Sequence, residues 1–538
     1  MRRPSPMRTA AATVACTNLA AGVWSSDEWT GAAARERIDA RATPPVNRRP
    51  MSETLPTLHG IPDIRAYFRT NETPVYFVSP TAFNLLGIDR WLRNFFYITY
   101  FDSFEGSHPR VFVPHERPYR EFESMEDICN YLLGHKEVLD RIERGGAGGK
   151  AVFVMFDDAT EAAAAAAGLE VAHPSAELRH RLDSKIVTTQ LGNEAGVPSA
   201  PNTLGRAGSF AALAALAESA GLGDDLVVQT PYGDSGKTTF FIRGERDWDR
   251  HAKDIVGQEI KVMRRLNVRA AAVEAALTRH GTIVGPLMND LIGHPELTPH
   301  KGGWCGNDIF PDALSPEHLE RARMLTQKLG DRLAAEGYRG FLEVDYLVDA
   351  DTGELYLGEL NPRISGVTSM TNVTAGAYAD IPLFLFHLLE YLDVDYEIDA
   401  DDINRRWARS SSVDVWSQLV LKDTGDEVEQ LTAAPRTGIW RMDEGGGGIS
   451  FARWGNDWHS LHDESEAFFL RVLAPGDYRY PGADLGVLVA RSRMQTEDNR
   501  LTERARQWID GIHAQFAGTP RAPADGPPPA GALAFKTA

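Results

Sequence analysis

The stretch Gly340–Gly366 reads GFLEVDYLVDADTGELYLGELNPRISG and carries the strongest structural signal in the chain. Two runs rich in leucine, valine and tyrosine flank the turn sequence ADTG, a pattern typical of a β-hairpin. Because side chains alternate along a strand, Glu343 and Asp345 share one face of the first strand. Glu359 and Asn361 share one face of the second strand for the same reason. The stretch therefore predicts a hairpin with acidic and amide side chains on one face.

These polar side chains are candidate metal ligands. Neighbouring antiparallel strands lie about 4.8 Å apart, so Glu343 and Glu359 could chelate shared cations. With the amide oxygen of Asn361 they form a set of hard oxygen donors suited to Mg²⁺. Arg363, if the extended path continues, could bind a phosphate or a carboxylate with its guanidinium fork. The alternative is a solvated sheet face, although like charges facing each other across strands are destabilising unless a cation intervenes.

A second candidate is the glycine-containing segment Pro231–Thr239, PYGDSGKTT. It supplies only the second half of a P-loop, because a proline occupies the position of the first glycine. The residues after the lysine are β-branched and aromatic, which predicts a strand rather than the helix that a P-loop requires. The segment is interpreted as a hairpin lid in which the amides of Gly233, Ser235 and Gly236, with Lys237, could bind phosphate oxygens. A plain surface turn is the alternative.

Short apolar runs precede these motifs, among them Pro74–Ser79, Phe95–Phe101 and Ala151–Asp158. Segments long enough for helices separate them, which favours a parallel α/β layer whose order begins near Pro74. The aromatic residues in this part, such as Trp91, Phe95 and Phe96, are interpreted as core residues rather than ligand contacts. A last block ends in a helix and is followed by a tail rich in proline and alanine.

The composition limits the classes of function. The chain has 538 residues and a net charge of −19, which argues against a broad surface for nucleic acid or anionic membranes. An acidic protein that handles a polyphosphate must gather its basic groups at one site. The cysteines Cys16, Cys129 and Cys305 form no CxxC pair, which favours a reduced, cytoplasmic compartment without structural zinc. No apolar run approaches the roughly 18 residues of a membrane span.

The first 50 residues contain many arginines and no lysine, and their apolar content is too weak for a signal peptide. A transit-like leader is one interpretation of them. The favoured interpretation is a disordered or artefactual extension, since a second methionine, Met51, comes just before the patterned sequence.

The hairpin motif resembles the magnesium-binding signature of the ATP-grasp superfamily, in particular its biotin-carboxylase-like and carboxylate–amine ligase branches. The resemblance covers roughly Val75 to Phe516. It implies that ATP and Mg²⁺ or Mn²⁺, as two ions, are the cofactors. It also implies that Glu343, Glu359 and Asn361 are the metal ligands and that Arg363 clamps the phosphate or the reaction intermediate.

Further positions follow from the same resemblance. Lys185 is expected to reach the nucleotide phosphates, and Lys237 with Gly233, Ser235 and Gly236 is expected to cover them. Residues 272–277, AVEAAL, are similar to the interdomain hinge, so Glu274 and the backbone near Leu277 would hold the adenine and the ribose.

The resemblance implies an α/β (α+β) fold, namely the ATP-grasp fold with a β-hairpin lid. The expected parts are a leader (1–50), a parallel α/β pre-ATP-grasp domain (70–184), a lid subdomain (185–268), a catalytic subdomain (269–400), a carboxylase-like C-terminal subdomain (411–516) and a disordered tail (517–538).

Two departures from the family pattern bear on function. Gln229 stands where the family commonly has a second nucleotide-binding lysine, so the resemblance implies either that Lys237 compensates or that nucleotide affinity is reduced. The stretch Ile364–Met370, ISGVTSM, lacks the acidic base of biotin carboxylases, and the chain has no biotin-acceptor segment. The resemblance thus implies an ADP-forming ligase that activates a small-molecule carboxylate as an acyl phosphate for attack by an amine. A divergent bicarbonate-using carboxylase and a nucleotide-binding protein without catalysis stay open as alternatives, as does a homodimer.

The segment Thr298–Asp308, TPHKGGWCGND, is either a substrate-binding loop or a glycine-rich connector. His300 and Lys301 are its candidate binding residues. Nothing in the sequence acidifies the Cys305 thiol, so a nucleophilic role is not favoured. Asp345 is a candidate partner of the metal ligands or of a substrate amine.

Overall fold

The computed structural model describes residues 56–520, apart from 116–121, 123, 234–237, 311–313, 373–380, 411–414 and 444–447. The predicted leader, with Cys16, and residues 521–538 of the predicted tail lie outside the described residues. The described part of the chain contains no helix with the length and hydropathy needed to cross a bilayer.

The first part of the chain is a parallel α/β layer. Its five strands follow the order β4-β3-β2-β5-β6, and each neighbouring pair is parallel, which confirms the predicted layer. Its elements are β1 (Leu58–His59), α1 (Gly60–Thr70), β2 (Val75–Ser79), β3 (Phe95–Thr99), β4 (Val111–Phe112), α2 (Met125–Gly134), α3 (Lys136–Gly145), β5 (Gly149–Val152), α4 (Asp158–Ala166), β6 (Leu169–Val171) and α5 (Ala176–Leu182), with short 3-10 helices at Phe83–Leu85 and Ile88–Arg90.

Ordered structure begins earlier than the predicted start near Pro74. Helix α1 buries Ile61, Ile64 and Phe68, which recur at helical spacing. Strand β1 pairs in parallel with a strand at Tyr396–Glu397, far along the chain. The sequence reasoning missed this start because the pairing partner of β1 is more than 300 residues away.

The second part is a small antiparallel sheet with the strand order β7-β10-β8-β9. Its elements, with the helix that precedes it, are α6 (Lys185–Ala195), β7 (Asn202–Gly205), α7 (Phe210–Ser219), β8 (Leu226–Gln229), β9 (Thr239–Ile242), α8 (Glu245–Ile255) and β10 (Ile260–Arg264). Strands β8 and β9 form the predicted hairpin, in which Gln229 pairs with Thr239. This four-stranded sheet is called the lid sheet below.

The third part is a ten-stranded antiparallel sheet with the order β15-β14-β11-β12-β13-β17-β23-β21-β19-β20. It crosses the predicted boundary between the catalytic and C-terminal subdomains, because β13 pairs with β17. The elements from here to the end are β11 (Val268–Thr278), β12 (Gly281–Ile292), β13 (Trp304–Ile309), α9 (Pro316–Ala335), β14 (Gly340–Asp349), β15 (Leu355–Asn361), α10 (Phe384–Leu389), β16 (Tyr396–Glu397), α11 (Ala400–Ser410), β17 (Trp416–Lys422), β18 (Glu429–Ala433), β19 (Gly438–Met442), β20 (Ile449–Arg453), β21 (Glu466–Arg471), β22 (Tyr478–Arg479), β23 (Asp484–Ala490), α12 (Glu503–His513) and β24 (Ala517–Pro520).

The tail was expected to be disordered from residue 517. Residues Ala517–Pro520 instead form β24, which pairs with β18. The composition of the tail gave no sign of this strand, since its order depends on an edge that β18 offers from elsewhere in the chain.

Candidate functional site

A cavity of about 270 Å³ lies between the lid sheet and the ten-stranded sheet. The lid sheet contributes Gln229 and Met263 to its wall. The ten-stranded sheet contributes both acidic or amide side chains and apolar side chains. The residues lining it from the ten-stranded sheet and the following loop include Ala270, Asp290, Ile292, Trp304, Glu343, Asp345, Leu347, Glu359, Asn361, Arg363 and Ser365.

The predicted metal ligands all lie in this wall, but their register differs from the simplest expectation. Asn361 pairs with Glu343, and Glu359 pairs with Asp345, so Glu343 and Glu359 are diagonal neighbours. The cause is a β-bulge that leaves Gly358 as an extra residue between the pairs. A Cβ on Gly358 would approach the Asp345 carbonyl oxygen to 3.1 Å. The bulge turns both Glu359 and Asn361 towards the cavity while the preceding leucines of β15 stay in the core.

The carboxyl groups of the cavity raise one another's pKa. Burial, together with the charges of Asp290 and Glu274, raises the pKa of Glu343 to about 7. Burial and the charges of Glu343 and Glu359 raise the pKa of Asp345 well above its ordinary value. Burial and Asp345 act on Asp290 in the same direction. Such a group of carboxyls is unfavourable as anions until a cation reduces the repulsion.

The donor set fits a hard divalent cation by its chemistry, since it consists of carboxylate and amide oxygens facing one cavity. In the described part of the chain, no three His, Cys, Asp or Glu side chains come close enough together to hold a metal ion by themselves. Two of these candidate ligand oxygens already accept hydrogen bonds from basic side chains. Glu359 Oε1 accepts a hydrogen bond from Lys185 Nζ at 2.7 Å, and Asn361 Oδ1 accepts one from Arg363 Nη2 at 2.7 Å.

Lys185 is placed at the cavity by the first turn of α6. Its side chain is 3% exposed, and its ammonium group also donates to the Gly233 carbonyl at 2.8 Å. Its backbone N–H donates to the Pro231 carbonyl at 2.8 Å. Lys185 therefore ties the acidic hairpin to the start of the predicted lid loop.

Arg363 follows the acidic hairpin directly. Its Nε atom is buried and has no hydrogen-bond partner among the described residues. A guanidinium with a free buried N–H at a cavity wall is available to an anionic ligand.

The lid loop is only partly described. Gly233 has a φ of +143°, and a Cβ there would come within 2.2 Å of the Thr238 side chain, so glycine is required. Ser235, Gly236 and Lys237 lie outside the described residues, and their proposed contacts with phosphates stay predictions.

Gln229 lies in the cavity wall at the end of β8. Its Nε2 donates to Thr239 Oγ1 at 3.1 Å, and its Oε1 is buried without a partner in the described part of the structure. Its cross-strand partner on β10 is Lys261, which is 1% exposed. Sequence reasoning missed Lys261, although a lysine between Ile260 and Val262 in an apolar strand was a usable signal.

The predicted hinge at residues 272–277 is wrong. These residues lie inside β11, paired to β12 on one side and β14 on the other. Leu277 is 2% exposed and Glu274 is fully buried. The chain instead passes from the lid sheet to the ten-stranded sheet between Arg264 and Val268, where β10 ends and β11 begins. The run of small apolar residues suits a central strand: residues 272–277 all pair with β14 and, except at the irregularity by Glu274, with β12.

Hydrogen bonds within the protein hold the Glu274 side chain in place. Its carboxyl accepts hydrogen bonds from the hydroxyls of Thr368, Thr371 and Ser365, on the segment after Arg363. Burial raises its pKa to about 8, against the lowering effect of these hydroxyls. Glu274 therefore anchors the segment that follows Arg363.

The segment Thr298–Asp308 contributes to the cavity through residues other than those predicted. His300 and Lys301 are exposed, while Gly302 and Trp304 lie in the cavity wall. Asn307, which was not singled out, donates from Nδ2 to Asp290 Oδ1 at 2.6 Å.

Cys305 is fully buried, and its thiol donates to the Leu291 carbonyl. Burial raises its pKa to about 12, so it has no nucleophilic thiolate at neutral pH. Asp308, the last residue of the same segment, is fully buried as well and accepts a hydrogen bond from the backbone N–H of Gln495.

No protein-family model matches the chain, and no curated protein matches it by sequence. Solved structures do match. The biotin carboxylase domain of the 2-oxoglutarate carboxylase of Hydrogenobacter thermophilus, in complex with MgADP, ADP and bicarbonate, has a TM-score of 0.54 at 12% identity, covering 83% of this chain and 90% of that one. Biotin carboxylase of Campylobacter jejuni, in an ATP complex, has a TM-score of 0.55 at 12% identity, covering 83% and 92%.

A third similar structure is the N5-carboxyaminoimidazole synthase of Aspergillus clavatus, in complex with ADP and 5-aminoimidazole ribonucleotide. Its TM-score is 0.51 at 13% identity, covering 82% of this chain and 99% of that one. At these identities the similarity concerns the fold. It confirms the predicted ATP-grasp fold.

Proposed function

We propose that this chain, which has the ATP-grasp fold, is an ATP- and Mg²⁺-dependent ligase that activates a carboxylate as an acyl phosphate for attack by an amine. One observation carries the proposal. Glu343, Glu359, Asn361 and Arg363 line one cavity between two sheets, and Lys185, from a separate segment, is hydrogen-bonded to Glu359. Oxygen donors for a cation beside basic groups for an anion form a combination suited to a metal–nucleotide complex.

The cavity wall combines two kinds of side chain. Met263, Ala270, Ile292 and Leu347 give apolar surface that suits a nucleobase. The carboxyl and amide groups give polar surface that suits the phosphates and their cations. Glu343, Glu359 and Asn361 would hold Mg²⁺, which when bound offsets the negative charge of the phosphates.

The basic residues have separate tasks in the proposed reaction. Lys185 binds the nucleotide at the lid, and Arg363 binds the oxygens of the carboxylate or of the phosphoryl group that is transferred. A carboxylate oxygen of the substrate forms a bond to the γ-phosphorus, and the bond to ADP breaks. The amine then displaces phosphate from the acyl carbon, which leaves an amide.

Water competes with the amine for an acyl phosphate, so the lid must exclude it. Tyr232 at the start of the lid loop stacks on His180 of α5, with ring centroids 4.3 Å apart and an interplanar angle of 11°. With the two hydrogen bonds from Lys185, this contact holds the lid loop against the body of the protein.

Bicarbonate-dependent carboxylation is the second candidate, because a similar structure contains bicarbonate. The segment 364–370 offers no carboxylate as a base. Glu274, the acid to which this segment is hydrogen-bonded, accepts bonds from three hydroxyls and is not among the residues that line the cavity. These facts favour the amine-dependent reaction.

The test is ADP release across panels of carboxylates, amines and bicarbonate, with mass spectrometry of the products. Glu359→Ala is expected to lower ADP release by at least about 100-fold, because it removes a cation ligand and the partner of Lys185. Glu354→Ala, an exposed glutamate in the same hairpin, is the matched control and should leave the rate unchanged.

Survival of turnover in Glu359→Ala would disprove the metal assignment. ADP release that depends on bicarbonate and needs no amine would support the carboxylase instead. Tight ATP binding without ADP formation on any panel would show a nucleotide-binding protein without catalysis.

A further inference from the structure

Lys261 is a buried lysine to which the proposed reaction assigns no role. It lies in β10, the second strand of the lid sheet, and it is 1% exposed. Its neighbours Ile260 and Val262 point into the apolar core of the lid. Lys261 therefore lies on the opposite face of the lid sheet. Met263 of the same strand and Gln229, the cross-strand partner of Lys261, lie on that face as well. Both of these residues line the cavity, so Lys261 is on the cavity side of the lid.

The ammonium group of Lys261 lacks a hydrogen-bonding partner in the described part of the chain. It is near Glu359, whose charge it feels, but the hydrogen bond to Glu359 Oε1 comes from Lys185. Burial lowers the pKa of Lys261 to about 8, and Lys185 acts in the same direction. The Glu359 charge acts against this lowering, but one carboxylate serves two ammonium groups, which leaves positive charge that an anionic ligand can balance.

The pairing of Lys261 with Gln229 shows which strand of the lid sheet carries the positive charge beside the cavity. Gln229 and Lys261 are directly opposite each other in the register of β8 and β10. Gln229 is neutral, and its side-chain amide oxygen Oε1 is buried without a partner among the described residues. At the Gln229–Lys261 pair of the lid sheet, the positive charge is therefore on β10 and not on β8. Lys185, beside it, is bonded to the carbonyl of the lid loop.

We propose that Lys261 and Lys185 together bind the polyphosphate of the nucleotide, and that Lys261 supplies from β10 the charge that Gln229 does not supply from β8. This inference rests on the proposed function, since it assumes a nucleotide in the cavity. The ligand chemistry is a nucleoside di- or triphosphate, because two ammonium groups on the cavity side complement a polyanion and not a neutral nucleoside.

The experiment is a calorimetric titration of the full chain with Mg-ATP, Mg-ADP and adenosine. Lys261→Met keeps the length of the side chain and removes its charge. It is expected to weaken the binding of Mg-ATP and Mg-ADP by roughly 10- to 100-fold, as for the loss of one charge-assisted hydrogen bond. Adenosine affinity should change by less than about 3-fold, because adenosine has no phosphate.

Two further variants separate this role from a structural one. Lys253→Met removes an exposed lysine of α8 in the same lid and should bind like the wild type. The exchange Gln229→Lys with Lys261→Gln places the lysine on the opposite strand at the same level. It should recover Mg-ATP binding to within about 5-fold of the wild type, whereas Lys261→Gln alone should not.

The outcomes are distinguishable. A wild-type protein that does not bind Mg-ATP would disprove the proposed function. If the wild type binds Mg-ATP and Lys261→Met binds it equally well, the proposed role of Lys261 is wrong, whereas the proposed function stands. If the role of Lys261 is purely structural, Lys261→Met should have a lower melting temperature than the wild type without nucleotide. If Lys261 is an unpaired buried charge, its removal should leave that melting temperature unchanged or raise it. If Lys261→Met does not fold, the exchange variant decides, and its failure to bind with an intact fold would contradict the proposal.

Discussion

Buried charge is the main feature of the site at the scale of single residues. Four carboxyl groups, Asp290, Glu343, Asp345 and Glu359, line one cavity, and burial and mutual repulsion raise the pKa of three of them. Such an arrangement costs stability in a protein that does not use it. A ligand that carries both cations and anions removes the cost, which is the physical reason to regard the cluster as functional.

Glu274 gives a residue-level prediction that does not depend on the reaction. Its pKa is about 8 in the folded protein, against about 4.3 in an unfolded chain. The folded state therefore keeps a proton that the unfolded state has lost between these pH values, and the stability of the wild type falls as pH rises through this window. Glu274→Gln lacks this titration. The stability of the variant relative to the wild type should rise with pH, by up to about 1.4 kcal/mol per unit, and become constant above about pH 8.

Urea denaturation between about pH 5 and pH 9 measures this difference. Glu354→Gln, at an exposed position of the hairpin turn, serves as the control and should show no pH-dependent difference. A difference between Glu274→Gln and the wild type that stays constant with pH would contradict the assignment.

At the scale of elements, the bulge at Gly358 and the lid hairpin position the site. The bulge reverses the side-chain alternation within β15, so that one strand contributes Leu357 to the core and Glu359 to the cavity. The hairpin of β8 and β9 is held to the body by Lys185 and by the stack of Tyr232 on His180. These few contacts suit a lid that must open and close.

The Tyr232–His180 stack makes a prediction for the lid. Tyr232→Ala removes an aromatic pair worth about 0.5–1.5 kcal/mol, so the hairpin should open more often. Hydrogen exchange of the backbone amides in β8 and β9 is expected to accelerate roughly 2- to 10-fold, while Tyr232→Phe should exchange like the wild type. Phe241→Ala, at an exposed position on the same hairpin, is the control. Equal exchange in Tyr232→Ala and the wild type would show that the stack does not hold the lid.

At the scale of the whole molecule, the strands that line the cavity and the C-terminal block share one sheet and one core. Asn307 and Gln418 connect Asp290 of the cavity to β17, through hydrogen bonds of 2.6 and 3.0 Å. One hydrophobic cluster contains Phe77 of β2 together with Phe468 of β21. The C-terminal block is therefore part of the support for the site.

Phe468 tests this continuity. It is fully buried, and Phe468→Ala should cost about 3–5 kcal/mol of stability. Because the core is shared, the loss should lower the main thermal transition of the protein and weaken nucleotide protection, as followed by tryptophan fluorescence and circular dichroism. Trp454→Ala, an exposed residue of the same block, should change the transition little. A separate early transition in Phe468→Ala, with nucleotide protection intact, would show that the block unfolds independently.

Several features of the fold and the site could be predicted from local sequence. The parallel layer, the lid hairpin and the acidic hairpin follow from short-range alternation and turn residues. Glu343, Glu359, Asn361, Arg363 and Lys185 were assigned from one motif and one resemblance, and the structure places all five around one cavity or at its edge. The hinge was misplaced because a run of alanines reads alike in a connector and in a central strand.

The sequence by itself determined which residues carry acid, amide and base, and it determined the local elements that hold them, because alternation and turn chemistry act over a few residues. Only the tertiary structure decided which charges meet. Lys261 faces the cavity because β10 pairs with β8, and the strands β1 and β24 form because β16 and β18, which are distant in the sequence, pair with them. Strand pairing joins residues far apart in the chain, and its energy comes from contacts that no local pattern contains.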